Sequence, residues 1–300
     1  MYKFVSLPFT EKKRIVLRRF IYIYNYIATL IFLFNPLSKI CKNTKSEDFI
    51  LSLTSFGVRI RYVYLAISSV TRGRCKPNKA ILWLANEEKG KKIPFFLRRL
   101  QKKGLVIAYY KDIKSYKKLI PTLKKHPESN IITIDDDLIY SPKTLNKLIN
   151  YHDLHPKSIC ACRIRKITIE KDKISSYQKW ELSNNNTSID KTNFATTGGG
   201  TLFPAGCFDS TVFDEKCFTQ ICPYADDIWF YAMALKNDYF VAKVPTKSIF
   251  DENFIEIIPL EKAPSLASIN VQKELCYNDI QFDAVMSHFS LYDKIIPPRK

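Results

Sequence analysis

The chain has 300 residues, 46% of them hydrophobic and 13% aromatic, which excludes a disordered segment and a small disulfide-held scaffold. Its net charge of +18 suits an anionic partner: nucleic acid, an anionic membrane surface or a phosphorylated substrate. The eight cysteines form no CxxC pair and read as reduced thiols, which speaks against a disulfide framework or a zinc site.

The first 45 residues stand apart, with nine Lys and Arg against Glu11 alone. A basic, helix-compatible run from Glu11 to Arg19 leads into the apolar stretch Phe20 to Phe34, which Asn35-Pro36 closes. A bilayer-spanning helix needs about 20 residues, so this stretch is short, and Asn25 and Thr29 lie inside it. Three readings stay open: a monotopic helix in the cytoplasmic leaflet, a true span or uncleaved signal anchor, and a helix packed on the domain. The aromatic residues at its start suit an interface. The neighbouring basic residues each add about 1 kcal/mol of attraction to anionic lipid. Residues 1–45 are therefore taken as a membrane-association helix and 46–300 as one globular domain. Removing residues 1–40 is expected to leave that domain soluble.

After a polar linker, Lys42 to Asp48, strands and helices alternate. Phe49 to Ser55 reads as a buried strand ending in two hydroxyls, with a turn at Phe56-Gly57 and a helix from Arg59 to Thr71. Ala80 to Ala85 is a second strand, Pro94 to Lys103 a helix, Leu105 to Tyr109 a third strand, and Ser115 to Lys125 a helix. Ile131 to Ile134 is the fourth strand. Such alternation implies parallel strands joined by crossover helices. No GxGxxG or GxxxxGK loop accompanies them, so a diphosphate has to be held another way.

Three consecutive carboxylates, Asp135, Asp136 and Asp137, end the fourth strand, before Ser141-Pro142 and a helix from Lys143 to Tyr151. Ligands of open α/β sheets bind beyond the carboxyl ends of the strands. Stacked like charges repel, and a hard cation such as Mg²⁺ or Mn²⁺ removes that cost. In extended backbone Asp135 and Asp137 point to one side and Asp136 to the other. A solvated acidic turn or a helix-capping cluster is the plainer reading, but the apolar strand before the triplet favours the site.

Further on, Ser158 to Arg165 and Lys166 to Ile169 read as strands, and Lys173 to Asn186 as a polar loop with Tyr177 and Trp180. Gly198-Gly199-Gly200 uses three of only eight glycines; it is either a bulged strand or a strand lining a substrate. Asp226-Asp227 opens an apolar helix running to about Leu235, where the helix dipole alone could explain two carboxylates. Val241 to Val244 is a strand and Asn278 to Phe289 a last helix. Lys114, Lys117 and Lys118 read either as phosphate contacts or as a solvated helix face. His126, His152 and His155 read as ordinary polar residues.

Taken together, this set resembles a GT-A fold bacterial glycosyltransferase, family 2-like, of the lipopolysaccharide or capsule type. The resemblance covers residues 48–290 and rests on Leu51-Ser52-Leu53-Thr54-Ser55, Lys114-Ser115-Tyr116-Lys117-Lys118, Asp135-Asp136-Asp137, Gly198-Gly199-Gly200 and Ala225-Asp226-Asp227-Ile228-Trp229. It implies an α/β fold, a mostly parallel central sheet flanked by helices, preceded by the membrane-associated helix. It implies nucleotide contacts at Thr54, Ser55, Arg59, Lys114, Lys117, Lys118, Asp135, Asp136, Gly199 and Gly200. A divalent metal, Mn²⁺ or Mg²⁺, would rest on Asp135, Asp137 and, as a C-terminal histidine ligand, His288. Asp227, or its neighbour Asp226, would be the general base of a hexosyl transfer expected to invert.

The partners implied are a nucleotide-diphosphate sugar, a glycan or glycolipid acceptor and an anionic membrane surface at the cytoplasmic face of the inner membrane. Two other readings use the same features. A metal-dependent nucleotidyltransferase also needs clustered carboxylates, but its second metal-binding carboxylate and Gly-Ser or palm-like element are not evident. A basic nucleic-acid-binding protein is disfavoured because much of the positive charge lies beside the apolar helix, not among exposed aromatics.

Overall fold

The computed structural model describes residues 11–42, 48–183, 188–245, 255–260, 270 and 276–296, with the side chains of 11–15 and 183 excepted. A long helix, α1 (Glu11–Phe34), comes first. Next come β1 (Phe49–Thr54), α2 (Val63–Thr71), β2 (Lys79–Ala85), α3 (Phe95–Gln101), β3 (Leu105–Tyr110), α4 (Ile120–Lys125) and β4 (Asn130–Thr133). The triplet and β5 (Leu138–Ile139) lead to α5 (Thr144–Leu154), β6 (Ser158–Ala161) and β7 (Ile164–Lys166). Short strands follow: β8 (Ile169–Glu170), β9 (Lys173–Ile174), β10 (Glu181–Ser183), β11 (Ile189–Asp190), β12 (Asn193–Ala195) and β13 (Thr201–Phe203). The chain continues with α6 (Glu215–Ile221), α7 (Asp226–Lys236), β14 (Phe240–Lys243), β15 (Ile255–Glu256), α8 (Tyr277–His288) and α9 (Tyr292–Ile295).

One eight-stranded sheet organises the molecule, in the order β11-β14-β6-β13-β4-β1-β2-β3. β3, β2, β1 and β4 run parallel, as do β6 and β14; β13 runs antiparallel between β4 and β6, and β11 antiparallel at the edge. The central strands are apolar on both faces because both are covered, the usual state of parallel sheets. One core holds Leu51, Leu53, Leu82, Ile132 and the inner residues of α1, α2, α3 and α5. The other holds Ile131, Phe203, Phe218, Trp229, Phe230 and Met286. Helices thus cover both faces of a mostly parallel sheet.

Several expectations change. The helix expected over 59–71 divides into a 3-10 turn, Gly57–Arg61, and α2. The one expected over 115–125 divides into a 3-10 turn, Lys114–Lys118, and α4, because Pro121 sits in α4's first turn, the only helical position that tolerates it. The segment from Lys173 is not a plain polar loop: β8 and β9 form a hairpin, and Trp180 is buried against Phe194 and Phe282. Residues 184–187 of that segment, and 43–47 of the expected linker, lie outside the described residues.

The N-terminal helix changes most. Its stretch Val16–Phe34, 19 residues, is long and apolar enough to cross a membrane by length and composition, so shortness no longer argues against a span. One of its faces packs on α2, α3 and β15, and Phe32, Leu33 and Ile40 belong to the first core. The described part of the N-terminal segment, residues 11–40, is therefore packed on the domain and not a detachable appendage. Removing them opens that core.

Candidate active site

The parallel order β3-β2-β1-β4 places the ends of β1 and β4 side by side, and the polar residues that leave them meet. Ser55, just past β1, donates from Oγ to Asp136 Oδ2 at 2.5 Å. Arg59, on the following 3-10 turn, reaches Asp136 Oδ1 at 2.9 Å and Asp137 Oδ2 at 2.7 Å with one guanidinium nitrogen. Asp136 and Arg59 are both buried. Asp136 thus ties the loops after β1 and β4 together.

Asp135 and Asp137 are the more open acids, with side chains 36% and 28% exposed against 7% for Asp136, although Asp137 shares Arg59 with it. Lys118 is the central cation: its Nζ stands 3.0 Å from Asp135 Oδ1 and 3.2 Å from Asp226 Oδ2. Lys118 is itself buried, so its ammonium is held by charge, not water. Asp226 and Asp227 open α7. Asp226 turns in to Lys118; Asp227 Oδ1 accepts both the backbone N–H of Thr197, at 3.1 Å, and the Thr197 hydroxyl.

The glycine segment closes the site from the β13 side. Thr133 donates to the Thr197 carbonyl at 2.9 Å, and the Tyr140 hydroxyl donates to the Gly198 carbonyl at 2.5 Å while accepting the Asp135 N–H at 2.8 Å. A Cβ on Gly198 would lie 1.5 Å from Asp135 Oδ2, so the carboxylate occupies the space a side chain would fill. Gly200 has φ +92°, a backbone that favours glycine. Gly199 is buried, its N–H donated to Thr196.

These surroundings divide the acids. Burial, opposed by Arg59, pushes Asp136 up to about 6. Burial, then the charge of Asp226, pushes Asp227 up to about 6 against Lys118 and the Thr197 bond. Asp137 is raised by burial and by the charge of Asp135. For Asp135 burial acts upward too, but Lys118, with Arg163 and Arg59, outweighs it and holds this carboxyl below the usual carboxylate range. Lys118 is raised, since Asp135, Asp226 and Asp227 outweigh its burial. A low-lying acid beside raised ones is the arrangement by which carboxylates take different roles.

The expected site residues do not all converge. Thr54 bonds the Trp83 carbonyl at the end of β1. Lys117 is not a solvated lysine: it is buried and paired with Asp112, not with the carboxylates that Lys118 joins. Lys114, with φ +53°, sets its ammonium 3.9 Å over the Tyr224 ring, two residues before Asp226. His288 ends α8 beside Cys217 and packs on Phe289, so it does not stand with the triplet. Among the described residues no group of three or more His, Cys, Asp or Glu could hold a metal by itself. The remaining pair, Asp135 and Asp137, still fits one: both are partly exposed, each raises the cost of the other's charge, and Mg²⁺ commonly takes one or two carboxylates plus substrate phosphates.

Three residues of the site had no signal in the sequence. Tyr140 lies in an apolar run, and its role depends on the loop folding back. Arg163, which bonds the Thr196 hydroxyl at 2.6 Å and acts on Asp135, is one basic residue among many. Thr197 is marked only by its glycine neighbours.

Residues 127–211, which include the triplet and the glycines, match the family model "Glycosyl transferase family 2". Among solved structures, residues 1–349 of S. aureus TarS in complex with UDP-GlcNAc superpose with a TM-score of 0.52 at 11% identity, over 84% of this chain and 68% of that one. The TarS complex with UDP gives 0.43 at 12% identity, over 67% of this chain and 59% of that one, less than two thirds of its length. A cytidylyltransferase from Leptospira borgpetersenii gives 0.40 at 11% identity, over 84% and 97%. Among curated proteins none matches. The acidic site at the ends of β1 and β4 thus takes its triplet and its glycines from a segment similar to glycosyl transferase family 2, on a fold similar to that of TarS.

Proposed function

We propose that the chain transfers a hexose from a nucleoside-diphosphate sugar to a hydroxyl of a lipid-linked surface glycan, of lipopolysaccharide or capsule type, with inversion at the anomeric carbon, at the cytoplasmic face of the inner membrane. The observation that carries this reading is Lys118, one buried ammonium held between Asp135 on the β4 side and Asp226 beside Asp227. It makes two acidic groups, far apart in the chain, one site. The TarS complex with UDP-GlcNAc in a similar fold supports a uridine diphosphate sugar as the donor class.

In this reading the donor diphosphate lies against the exposed side of Asp135 and Asp137. A divalent cation bound there would neutralise charge building on the leaving diphosphate. Arg163 and Lys118 add fixed positive charge, and Arg59 and Ser55 keep the triplet in place through Asp136. Asp227 takes the proton of the acceptor hydroxyl. Its raised pKa makes it a better base than an ordinary carboxylate, and its two Thr197 bonds, both on Oδ1, fix its orientation and leave Oδ2 for the acceptor.

The test separates binding from chemistry. Calorimetry of UDP with and without Mn²⁺ should show metal-enhanced binding in the parent and its loss in Asp137→Ala. Asp227→Asn should keep that binding and lower kcat by about 100-fold or more. Tight UDP binding indifferent to Mn²⁺ and to Asp137→Ala would remove the metal from the reading. An active Asp227→Asn would remove the base.

A further inference from the structure

The helix α1 is apolar on the side turned away from the protein. Val16, Phe20, Ile23, Ile27, Ile31 and Phe34 recur at three- and four-residue spacing, and each is at least 52% exposed. Leu37, just past the helix, and Phe95 at the start of α3 extend the stripe; Phe34 and Phe95 are in ring contact. The face turned toward α2 and α3 carries the polar residues Asn25 and Thr29, both buried. That face also buries Phe32 and Leu33, so the helix is apolar on both sides, whereas a helix on a water-soluble domain turns polar residues outward. Six large side chains in one line also exceed the scattered apolar exposure of ordinary surfaces.

The inward face is firmly tied. Asn25 Oδ1 accepts from Arg72 at the end of α2. Past the last turn, Arg99 donates to the Leu33 carbonyl at 3.1 Å and Lys103 to the Asn35 carbonyl at 2.6 Å, placing two cations at the negative end of the helix. Arg99 also lies 4.2 Å over the Phe34 ring. A helix clamped along this length cannot cross a bilayer without drawing α2 and α3 into the hydrocarbon, where their loops would lose hydrogen-bonding water. This packing argues against a span, although the length of the helix would allow one.

We infer that α1 lies in the plane of an anionic bilayer, with Phe20, Ile23, Ile27, Ile31, Phe34 and Phe95 inserted as one rigid face of the catalytic domain. Charge selects this occupant over a second copy of the chain. Arg19, Lys39, Lys42 and Lys102 are exposed at the two ends of the stripe, and the chain carries +18 in all, so two such faces repel while anionic headgroups attract. The inference deepens the membrane part of the proposed function and is independent of the donor chemistry.

The test uses the full chain and the double variant Ile23→Asp/Ile27→Asp. Flotation is measured with vesicles of phosphatidylcholine alone and of phosphatidylcholine with phosphatidylglycerol, alongside light scattering for mass and UDP binding for the site. The parent should float with the anionic vesicles, and less with neutral ones or in high salt. The variant should lose flotation at least tenfold while its UDP binding and melting temperature hold. A single Ile27→Trp, read against lipids brominated at shallow and deep positions, should be quenched by the shallow ones. Equal flotation of parent and variant overturns the inference, as does quenching by the deepest position. A parent dimer that the variant dissociates, with no lipid binding by either, assigns the face to a second copy. Absence of UDP binding in parent and variant alike, with flotation present in the parent and lost in the variant, counts against the donor reading only.

Discussion

Asp226 and Asp227 are neighbours in the chain with different surroundings. Asp226 turns in to Lys118 and is buried; Asp227 meets the Thr197 N–H and hydroxyl. Those bonds favour the charged form, whereas burial and Asp226 oppose it and hold Asp227 at about 6. A base must be deprotonated to accept a proton, so kcat/KM for the acceptor should rise with pH through about 6 and level above it. Thr197→Val removes one bond to the anion and keeps the N–H, so the acid limb should move to higher pH. A series of kcat/KM measurements from about pH 5 to about pH 8 decides it, since kcat/KM reports the free enzyme's groups. An unmoved limb would assign the titration to another group.

At the scale of elements, β13 explains why the glycines matter. It runs against β4, so the chain enters it beside the point where β4 delivers the triplet, and Gly198 meets Asp135. Two glycines then behave differently on substitution. In Gly198→Ala the new methyl meets the end of the Asp135 side chain, which can swing away at the cost of its contact with Lys118. Gly73→Ala, after α2, puts its methyl 1.9 Å from the Pro142 carbonyl, and backbone has no such freedom. Gly198→Ala should lower turnover at least about tenfold with little change in melting. Gly73→Ala should cost about 1–3 kcal/mol of stability, as overpacking does. Thermal unfolding and a transfer assay on both variants check the pair.

The same elements show how far the sequence was legible. β1 to β4 and the triplet stood out because apolar runs bounded by polar residues signal buried strands without help from distant contacts. The direction of β13 did not, since side-chain alternation is the same in either direction. Lys117 and Lys118 gave opposite faces of one turn with no apolar pattern to sort them. His288 looked suitable by residue type, but α8 seats it beside Cys217. Arg59 was named as a nucleotide contact; its bonds to Asp136 and Asp137 are long-range and leave no local trace.

At the scale of the whole molecule, an acidic site sits inside a basic shell, 47 Lys and Arg against 29 Asp and Glu. The site itself is balanced from within by Arg59 and Lys118. The N-terminal helix belongs to this body. Deleting residues 1–40 removes Phe32, Leu33 and Ile40 from the first core. Burying such a side chain is worth about 1.5–3 kcal/mol, and whole domains hold only about 5–15 kcal/mol. The truncated chain should therefore melt well below the parent or fail to fold, which calorimetry or far-ultraviolet dichroism would show. Full retention of the parent melting temperature would contradict this packing.

On the inference that α1, clamped to the domain on one side, is seated in lipid on the other, the protein is left only sliding and spinning within a sheet. Its meetings with an acceptor carried in the same sheet then depend on molecules per area, not per volume. At saturating donor and full membrane binding, adding buffer to the vesicles should leave the turnover rate unchanged. Adding inert lipid to the same vesicles, at constant total acceptor, should slow it in proportion. A rate that follows bulk concentration instead would mean that the acceptor comes from the water.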